Sequence, residues 1–297
     1  MASDVSCNVC GTVVPASSAP VFVKDGFEIV RCPSCALLFR RELPDAEAVA
    51  AIYSDEYFRR PEDDTGGQGY DDYLLEEELH RLNADARVRA LGRHVAAGRL
   101  FDVGAAAGFF MDEAQRAGWD VHGADVSPTM SAYGRDTLGL DLRTATFDAV
   151  AIDGPFDCVT MWDYIEHATD PLGDLRHAHD LLRPGGVLAL STGDVRSLVA
   201  RASRSRWHLL TPRHHNYFFS AANLRLACER AGFDVLSARH PGNRYSLRYL
   251  TYKLRSMLPE SGAVRRVGDA FGESRVGRLA VPVNLWDIVT VVARRRG

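Results

Sequence analysis

The chain has 297 residues, 46% of them hydrophobic and 25% charged, which suits one large folded domain with a small appendage and excludes a disordered or fibrous chain. Its formal net charge of -4 excludes tight nonspecific binding to DNA or other nucleic acid, which requires a basic face. No apolar run approaches the ~18 residues of a membrane helix, and the start MASDVSCNVC carries neither the basic region nor the apolar run of a secretory signal, so a cytoplasmic location is expected.

Four of the six cysteines form two pairs, Cys7-x2-Cys10 and Cys32-x2-Cys35, with 21 residues between them. Two such knuckles offer four thiolates at tetrahedral spacing, and a segment of about 40 residues is too small to fold on an apolar core without a staple. Residues 1–40 are therefore expected to form a zinc ribbon. With all four positions filled by protein, the metal is structural. Disulfides are disfavoured in a cytosolic chain, and a redox pair is disfavoured by the doubled motif. Cys158 and Cys228 read as core residues.

Residues 41–98 read as a helical cover or linker, with a helix from about Leu74 to Ala97. Between Glu42 and Asp85 there are 14 acids against three arginines, a net charge of -11. A solvated helix face accounts for the charges, whereas Tyr70 and Tyr73 are candidate contacts to a bound ligand.

The stretch LFDVGAAAGFF (Leu100 to Phe110) is an apolar strand entering a turn that opens with Gly104 and closes with Gly108, followed by a helix from Phe109 to Ala117. Small residues through the turn let backbone N–H groups approach a ligand. The next apolar strand ends at Asp125, 23 positions after Asp102, where a carboxylate can accept both hydroxyls of an adenosine ribose. A dinucleotide fingerprint needs glycine at 104, 106 and 109, but Ala106 and Phe109 stand there, which disfavours NAD or FAD. The string instead resembles motif I of class I S-adenosylmethionine (SAM) methyltransferases, DVGxGxG, matching at Asp102, Val103, Gly104 and Gly108 and departing at Ala106. The resemblance implies SAM as cofactor, held by Asp102, Gly104, Ala105, Ala106, Gly108, Phe109, Asp125 and Val126.

Three further segments carry the resemblance, which covers roughly residues 70 to 240. FDCVTMWDYIEHATDP (Phe156 to Pro171) is similar to the fourth strand and EH-x-x-DP segment of the branch that includes ubiquinone-pathway O-methyltransferases. LLRPGGVLALST (Leu181 to Thr192) is similar to that family's helix-PGG-strand element, with the helix ending at Pro184-Gly185-Gly186. HHNYFFSAANLRLACERAGF (His214 to Phe233) continues the pattern. The implied fold is α/β: a Rossmann-like, doubly wound, seven-stranded methyltransferase sheet over residues 99–297, with insertions near 194–218 and 241–282 and the ligand at the C-terminal strand ends. In that fold Trp162 could line the methionine portion of SAM and Phe147 could pack on adenine, with core packing the alternative for both.

Methyl transfer needs an acceptor atom aligned behind the sulfonium and a base to take any proton. His167, His214 and His215 are the candidates. TPRHHNYFFS resembles the segment after the fifth strand in this branch, with His215 in the family's histidine position, Phe219 as its aromatic and Ser220 as its helix cap. A comparable histidine is the base in zinc-ribbon sugar C-methyltransferases, which are longer than this chain. Asp163, Glu166 and His167 resemble a magnesium-binding array of ubiquinone-pathway and small-RNA 2′-O-methyltransferases, which implies Mg2+ there. The Glu-His pair also occurs in relatives without a metal.

From Val195 to Pro259 the balance reverses, with 11 Arg and one Lys against Glu229 and Asp234, a net charge of +10. Such a segment attracts an anionic acceptor, or pairs with the acidic part of the same chain. Arg244 to Leu258 reads as an amphipathic helix with Leu247, Leu250, Leu254 and Leu258 on one face, suited to a lid, a dimer face or peripheral lipid contact. VNLWDIVTVVARRRG suits a last strand. The function expected is SAM-dependent methylation of a small polar acceptor, a sugar, glycolipid or secondary-metabolite hydroxyl, with O-methylation ahead of C- or N-methylation. The alternatives are an RNA methyltransferase that docks substrate on its ribbon, and a non-catalytic SAM-fold binding module. No pattern in the chain sets an oligomeric state.

Overall fold

The computed structural model describes residues 3–44, 73–251 and 275–297. Tyr70 and residues 252–258 of the expected amphipathic helix lie outside them.

Seven strands form the main sheet. In chain order they are β6 (Arg99–Val103), β7 (Asp120–Asp125), β8 (Asp141–Thr144), β9 (Phe156–Trp162), β10 (Leu182–Gly193), β12 (Phe233–Arg239) and β15 (Ile288–Arg295). Their spatial order is β12-β15-β10-β9-β6-β7-β8. The strands from β8 to β10 run parallel, and β15 is antiparallel to both of its neighbours. The chain order therefore reverses beside β6, and this switch point opens a crevice at the carboxyl ends of β6 and β9. Helices α2 (Phe109–Arg116), α3 (Pro128–Asp136), α4 (Pro171–Leu181) and α6 (Ala221–Arg230) connect the strands. Apolar runs such as Val187–Leu190 are buried on both faces, as a covered parallel sheet requires. The expected seven-stranded α/β sheet is the one observed.

Caps mark the helix starts. Ser127 accepts from Met130 N, Asp170 accepts from Gly173 N, and Ser220 with Asn223 makes a complete capping box. Helix α4 ends at Leu181, three residues before the expected Pro184, because Leu182 already pairs with Phe156. The chain then bulges through Gly185 at φ +76° before pairing resumes at Val187 with Cys158.

The cover begins with a 3-10 turn, Tyr73–Glu76, and continues as α1 (Glu77–Leu91), shorter than the 74–97 expected. Arg81 ties it to the domain through Glu77, Asp112 and Glu113. The segment expected to start a helix at Arg244 begins as a strand. β13 (Asn243–Ser246) pairs antiparallel with β14 (Ala280–Val283), and the helix starts only at 247. Two partners satisfy this backbone: β14 on one edge, and on the other the Asn83 side chain of α1, which donates to Arg244 O at 2.9 Å and accepts from Arg244 N at 2.8 Å.

The ribbon comprises the hairpin of β1 (Val5–Ser6) with β2 (Val13–Val14), then β3 (Phe22–Lys24), β4 (Phe27–Arg31) and β5 (Leu38–Arg40). Its second sheet is not confined to the first 40 residues. β11 (Tyr217–Phe218), from the far half of the chain, pairs with β5, giving the order β11-β5-β4-β3.

Candidate functional site

A cavity of about 990 Å³ opens at the carboxyl ends of β6, β7, β9 and β10 and passes under α1, bounded farther out by the 208–215 loop and β13. One half is walled by the Gly104–Asp125 turn, expected from the sequence to seat a nucleoside, and a second half lies beyond it.

The first half is the strand-turn-helix read from the sequence. Asp102, Gly104, Ala105, Ala106, Phe109, Asp125 and Val126 all line the cavity. Gly108 does not. It lies behind the turn at φ +83°, where a Cβ would come 2.5 Å from Leu140. Gly104, at φ +69°, sits under Tyr164, and a Cβ there would come 2.8 Å from that ring. The turn's amides point inward: Gly104 N and Ala105 N donate to Ala124 O, and Ala106 N donates to the Asp125 carboxylate at 2.8 Å. Closeness of approach, more than free N–H donors, is what these residues provide. Asp125 also accepts from Ser127 N at 2.8 Å, and burial raises its pKa. Asp102 is buried and accepts from Thr160 Oγ1 at 2.6 Å, and burial pushes its pKa up to about 7.

Aromatic groups close this half. Phe109 stacks with Tyr73 at 5.6 Å and with His80 at 5.9 Å between ring centroids, and so anchors the cover. Trp162 lies under the Arg87 guanidinium, 4.7 Å from the ring centroid, and its Nε1 is buried without a hydrogen-bond partner, an orphan donor of the kind a bound ligand satisfies. Phe147 reaches the cavity but is 2% exposed and stacks with Phe101 at 5.9 Å, so it serves the core as well.

Beyond it, the structure brings His167, His214 and His215 to one wall. His167 Nδ1 donates to His214 O, and His215 Nδ1 donates to Leu209 O, both at 2.9 Å. A carbonyl can only accept, so each ring carries a proton on Nδ1 and turns its Nε2 edge away from that carbonyl. The rings meet edge to face at 4.7 Å between centroids. Ligand atoms of Glu166, His167 and His215 lie within 4.8 Å of one another. Burial, with the Asp163 carboxylate adding to it, pushes Glu166 up to about 8, and its Oε2 has no hydrogen-bond partner. Burial pulls His167 down to about 4. Asp163 takes a different place from the other two members of its motif. Its carboxylate accepts from Arg87 Nη2 at 2.9 Å and from Ser191 Oγ at 2.8 Å, and its backbone sits at φ +53°.

Sequence reasoning passes over Arg87, His80, His208 and Asp287. His80, Ala84, Arg87 and Leu91 share one face of α1 at i, i+4, i+7, i+11, so helical period alone marks that face. Nothing local in the sequence links His208 to Asp287, whose atoms lie 3.5 Å apart at the cavity's far edge. Of the cations from Val195 to Pro259, only Arg244 lines the cavity among the described residues, while eight carboxylates do. Arg196, Arg201, Arg204, Arg206, Arg213, Arg225, Arg230 and Arg239 of that segment are exposed to solvent instead.

The four ribbon cysteines are free thiols whose Sγ atoms lie within 4.8 Å of one another. Cys7 and Cys35 are 3.6 Å apart and Cys10 and Cys32 3.3 Å, near the ~3.8 Å edge of a tetrahedron with 2.3 Å zinc–sulfur bonds. The donor set fits structural zinc.

Comparison with known proteins agrees with this geometry. Residues 75–238, more than half of the chain, match the family described as Methyltransferase domain. A ubiquinone biosynthesis O-methyltransferase of Ruegeria pomeroyi is 38% identical over 127 residues, covering 41% of this chain and 50% of the relative. One from Xanthomonas campestris is 32% identical over 126 residues, covering 39% and 52%. The chain thus spans about half the length of these curated relatives. A SAM-dependent methyltransferase structure from Thermotoga maritima superposes with a TM-score of 0.50 at 17% identity, covering 76% of this chain and 95% of that one, a likeness of fold. With its seven-stranded sheet, its glycine turn and the family match across them, the chain belongs to the methyltransferase-domain family.

Proposed function

We propose that the protein transfers a methyl group from SAM to a hydroxyl of a small, uncharged polar acceptor. The observation that carries this is one continuous cavity that runs from the Gly104–Asp125 turn, past Trp162, to a wall where His215 is held by its Nδ1 on the Leu209 carbonyl. SAM supplies an electrophilic methyl group on sulfur. The turn at Gly104 and the Asp125 carboxylate hold its adenosine, with Phe147 at the edge of that seat, and Trp162 and Tyr73 shield the reacting centre from water. With SAM bound, an acceptor hydroxyl held beyond Trp162 would take the methyl group as S-adenosylhomocysteine leaves, and His215 Nε2 would accept the hydroxyl proton. His167, with its pKa held near 4 by burial, is a weak base and serves better as an orienting acceptor. His214 contributes its carbonyl to that arrangement. The acid-rich lining disfavours the anionic acceptor expected from the basic segment, and disfavours an RNA backbone for the same reason.

Zinc on Cys7, Cys10, Cys32 and Cys35 holds the ribbon. A second, divalent cation is a distinct reading that one observation favours: Glu166, His167 and His215 converge, each imidazole is tethered through Nδ1 to a carbonyl, and Glu166 Oε2 is orphaned. His215 here replaces Asp163 in the array expected from sequence, and two nitrogens with one carboxylate suit Mn2+, Fe2+ or Co2+ better than Mg2+. Such an ion would bind the acceptor oxygen and ease its deprotonation.

The test is mass-spectrometric detection of S-adenosylhomocysteine when the protein is incubated with SAM and panels of phenols, sugars and glycolipids. Turnover should fall by about 10²–10⁴ in His215→Ala with SAM affinity retained. A variant that keeps most of its turnover refutes the assigned base.

A further inference from the structure

We propose that the N-terminal ribbon positions the acceptor wall of the cavity, with Arg40 acting through Asn216 on the backbone that carries Glu166, His167 and His215. The proposal rests on the methyl-transfer reading only in calling that wall the acceptor side.

Asn216 is 2% exposed, and every polar group it owns is engaged. Its N–H donates to Glu166 O at 2.8 Å, and its carbonyl accepts from Arg40 N at 2.9 Å. Its side-chain Oδ1 accepts from Arg40 Nη1 at 3.2 Å, while Nδ2 donates to His167 O at 2.8 Å and to Ala168 O at 3.3 Å. One residue therefore joins the end of ribbon strand β5 to the loop after β9, and the next residue toward the N-terminus is His215. Arg40 itself is buried at 7% exposure, its guanidinium 4.2 Å from the centre of the Phe27 ring, so its position is fixed by the ribbon's own packing.

Two more ribbon contacts act on the same wall. Lys24 Nζ donates to Leu210 O at 2.7 Å, beside the Leu209 carbonyl that holds His215 Nδ1. Asn8, between the first two cysteines, accepts from Leu172 N at 2.9 Å and donates to Asp170 at the start of α4. No ribbon residue but Pro44, past β5, lines the cavity among those described, and the hydrogen bonds that join Asn8, Val9, Lys24, Cys35 and Arg40 to the rest of the domain all go to residues outside the Gly104–Asp125 turn. The ribbon thus acts on the acceptor wall through the backbone and leaves the nucleoside seat alone.

The test uses the full-length, zinc-loaded protein with Arg40→Met, which removes the donor and keeps the stem, and Asn216→Ala as a second variant. Zinc stoichiometry, affinity for S-adenosylhomocysteine by calorimetry, and amide hydrogen exchange by mass spectrometry are measured on each. Peptides spanning 163–169 and 207–218 should exchange about tenfold faster, the effect of losing one hydrogen bond to a charged donor on local opening. Peptides spanning 100–127, zinc content and nucleoside affinity should hold at wild-type values. Unchanged exchange in 207–218, or a rise spread equally over 100–127, overturns the proposal and leaves the ribbon a general stabiliser. If the wild-type protein gives no heat with the nucleoside, the methyl-transfer reading fails while the exchange pattern still decides the ribbon's role.

Discussion

Replacing Asp125 tests the nucleoside seat most directly. Its carboxylate stands at the end of β7, 7% exposed, with one oxygen accepting from Ala106 N and the other from Ser127 N, each at 2.8 Å. An ionised carboxylate has about four lone-pair sites, so two remain for the two ribose hydroxyls. A hydrogen bond to a charged acceptor contributes about 1.5–3 kcal/mol. Asp125→Asn keeps the volume but loses the charge and half of the acceptor capacity, so binding should weaken by about 2–4 kcal/mol, roughly 30- to 1,000-fold in Kd. The fold should survive, because burial already opposes the charge at this position and removing it recovers part of the cost of a lost backbone contact. Calorimetric titration with S-adenosylhomocysteine at pH 7.5 measures the change. Asp120→Asn, at the exposed start of the same strand, is the control and should bind as the wild type does. An Asp125→Asn protein binding within threefold of wild type would show that the ribose lies elsewhere and that Asp125 only braces the turn.

Cys32→Ser should remove the ribbon's metal altogether and lower the thermal midpoint, since metal binding and folding of so small a unit are one process; one zinc retained per chain would refute the four-thiolate site. Ala106 sits at φ +48°, a left-handed conformation that costs a residue with a Cβ about 1 kcal/mol, so Ala106→Gly should raise the midpoint by about 2 °C and leave nucleoside affinity intact, and a fall in the midpoint would contradict that strain. Burial, with Arg87 adding to it, holds His80 down to about 4. Its folded pKa lies below its unfolded value of about 6.5, so the unfolded chain binds the proton first as pH drops. The stability it contributes is complete above pH 6.5 and is lost between there and pH 4. Urea titrations across that window should show a shallower pH slope for His80→Gln, and an identical slope would exclude His80 as the acid-sensitive group of the cover.

The two halves of the cavity were unequally legible for a physical reason. The half at the glycine turn is assembled from residues close in sequence, Asp102 to Ala106 and then Asp125, so a strand period, a run of small residues and one carboxylate at the next strand end were enough to mark that wall of the cavity. The acceptor wall is assembled across the chain: Arg40 meets Asn216 over 176 positions, and His208 meets Asp287 from beyond β14. Sequence nominated His167, His214 and His215 one at a time but gave no sign that Nδ1 of both His167 and His215 would be tied to carbonyls. Charge was the poorest guide. A net of +10 between Val195 and Pro259 suggested an anionic ligand, but composition carries no information on which way a side chain faces, and here Arg196, Arg201, Arg204 and Arg206 point to solvent. The same limit applies to β13, where a leucine period suggested a helix and pairing with β14 took precedence for the first residues.

Phe109 shows how one departure from a motif can carry two consequences. In a dinucleotide fingerprint this position is glycine, so that the helix can pack close against the strand. A phenyl ring there prevents that approach, and the ring is not idle. At 1% exposure it stacks on Tyr73 and His80 of the cover, takes Tyr133 of α3 on its edge at 5.9 Å, and lies 5.3 Å from the Arg81 guanidinium that ties α1 to Asp112 and Glu113. The side chain that departs from the dinucleotide pattern is therefore the one on which the helical cover is hung.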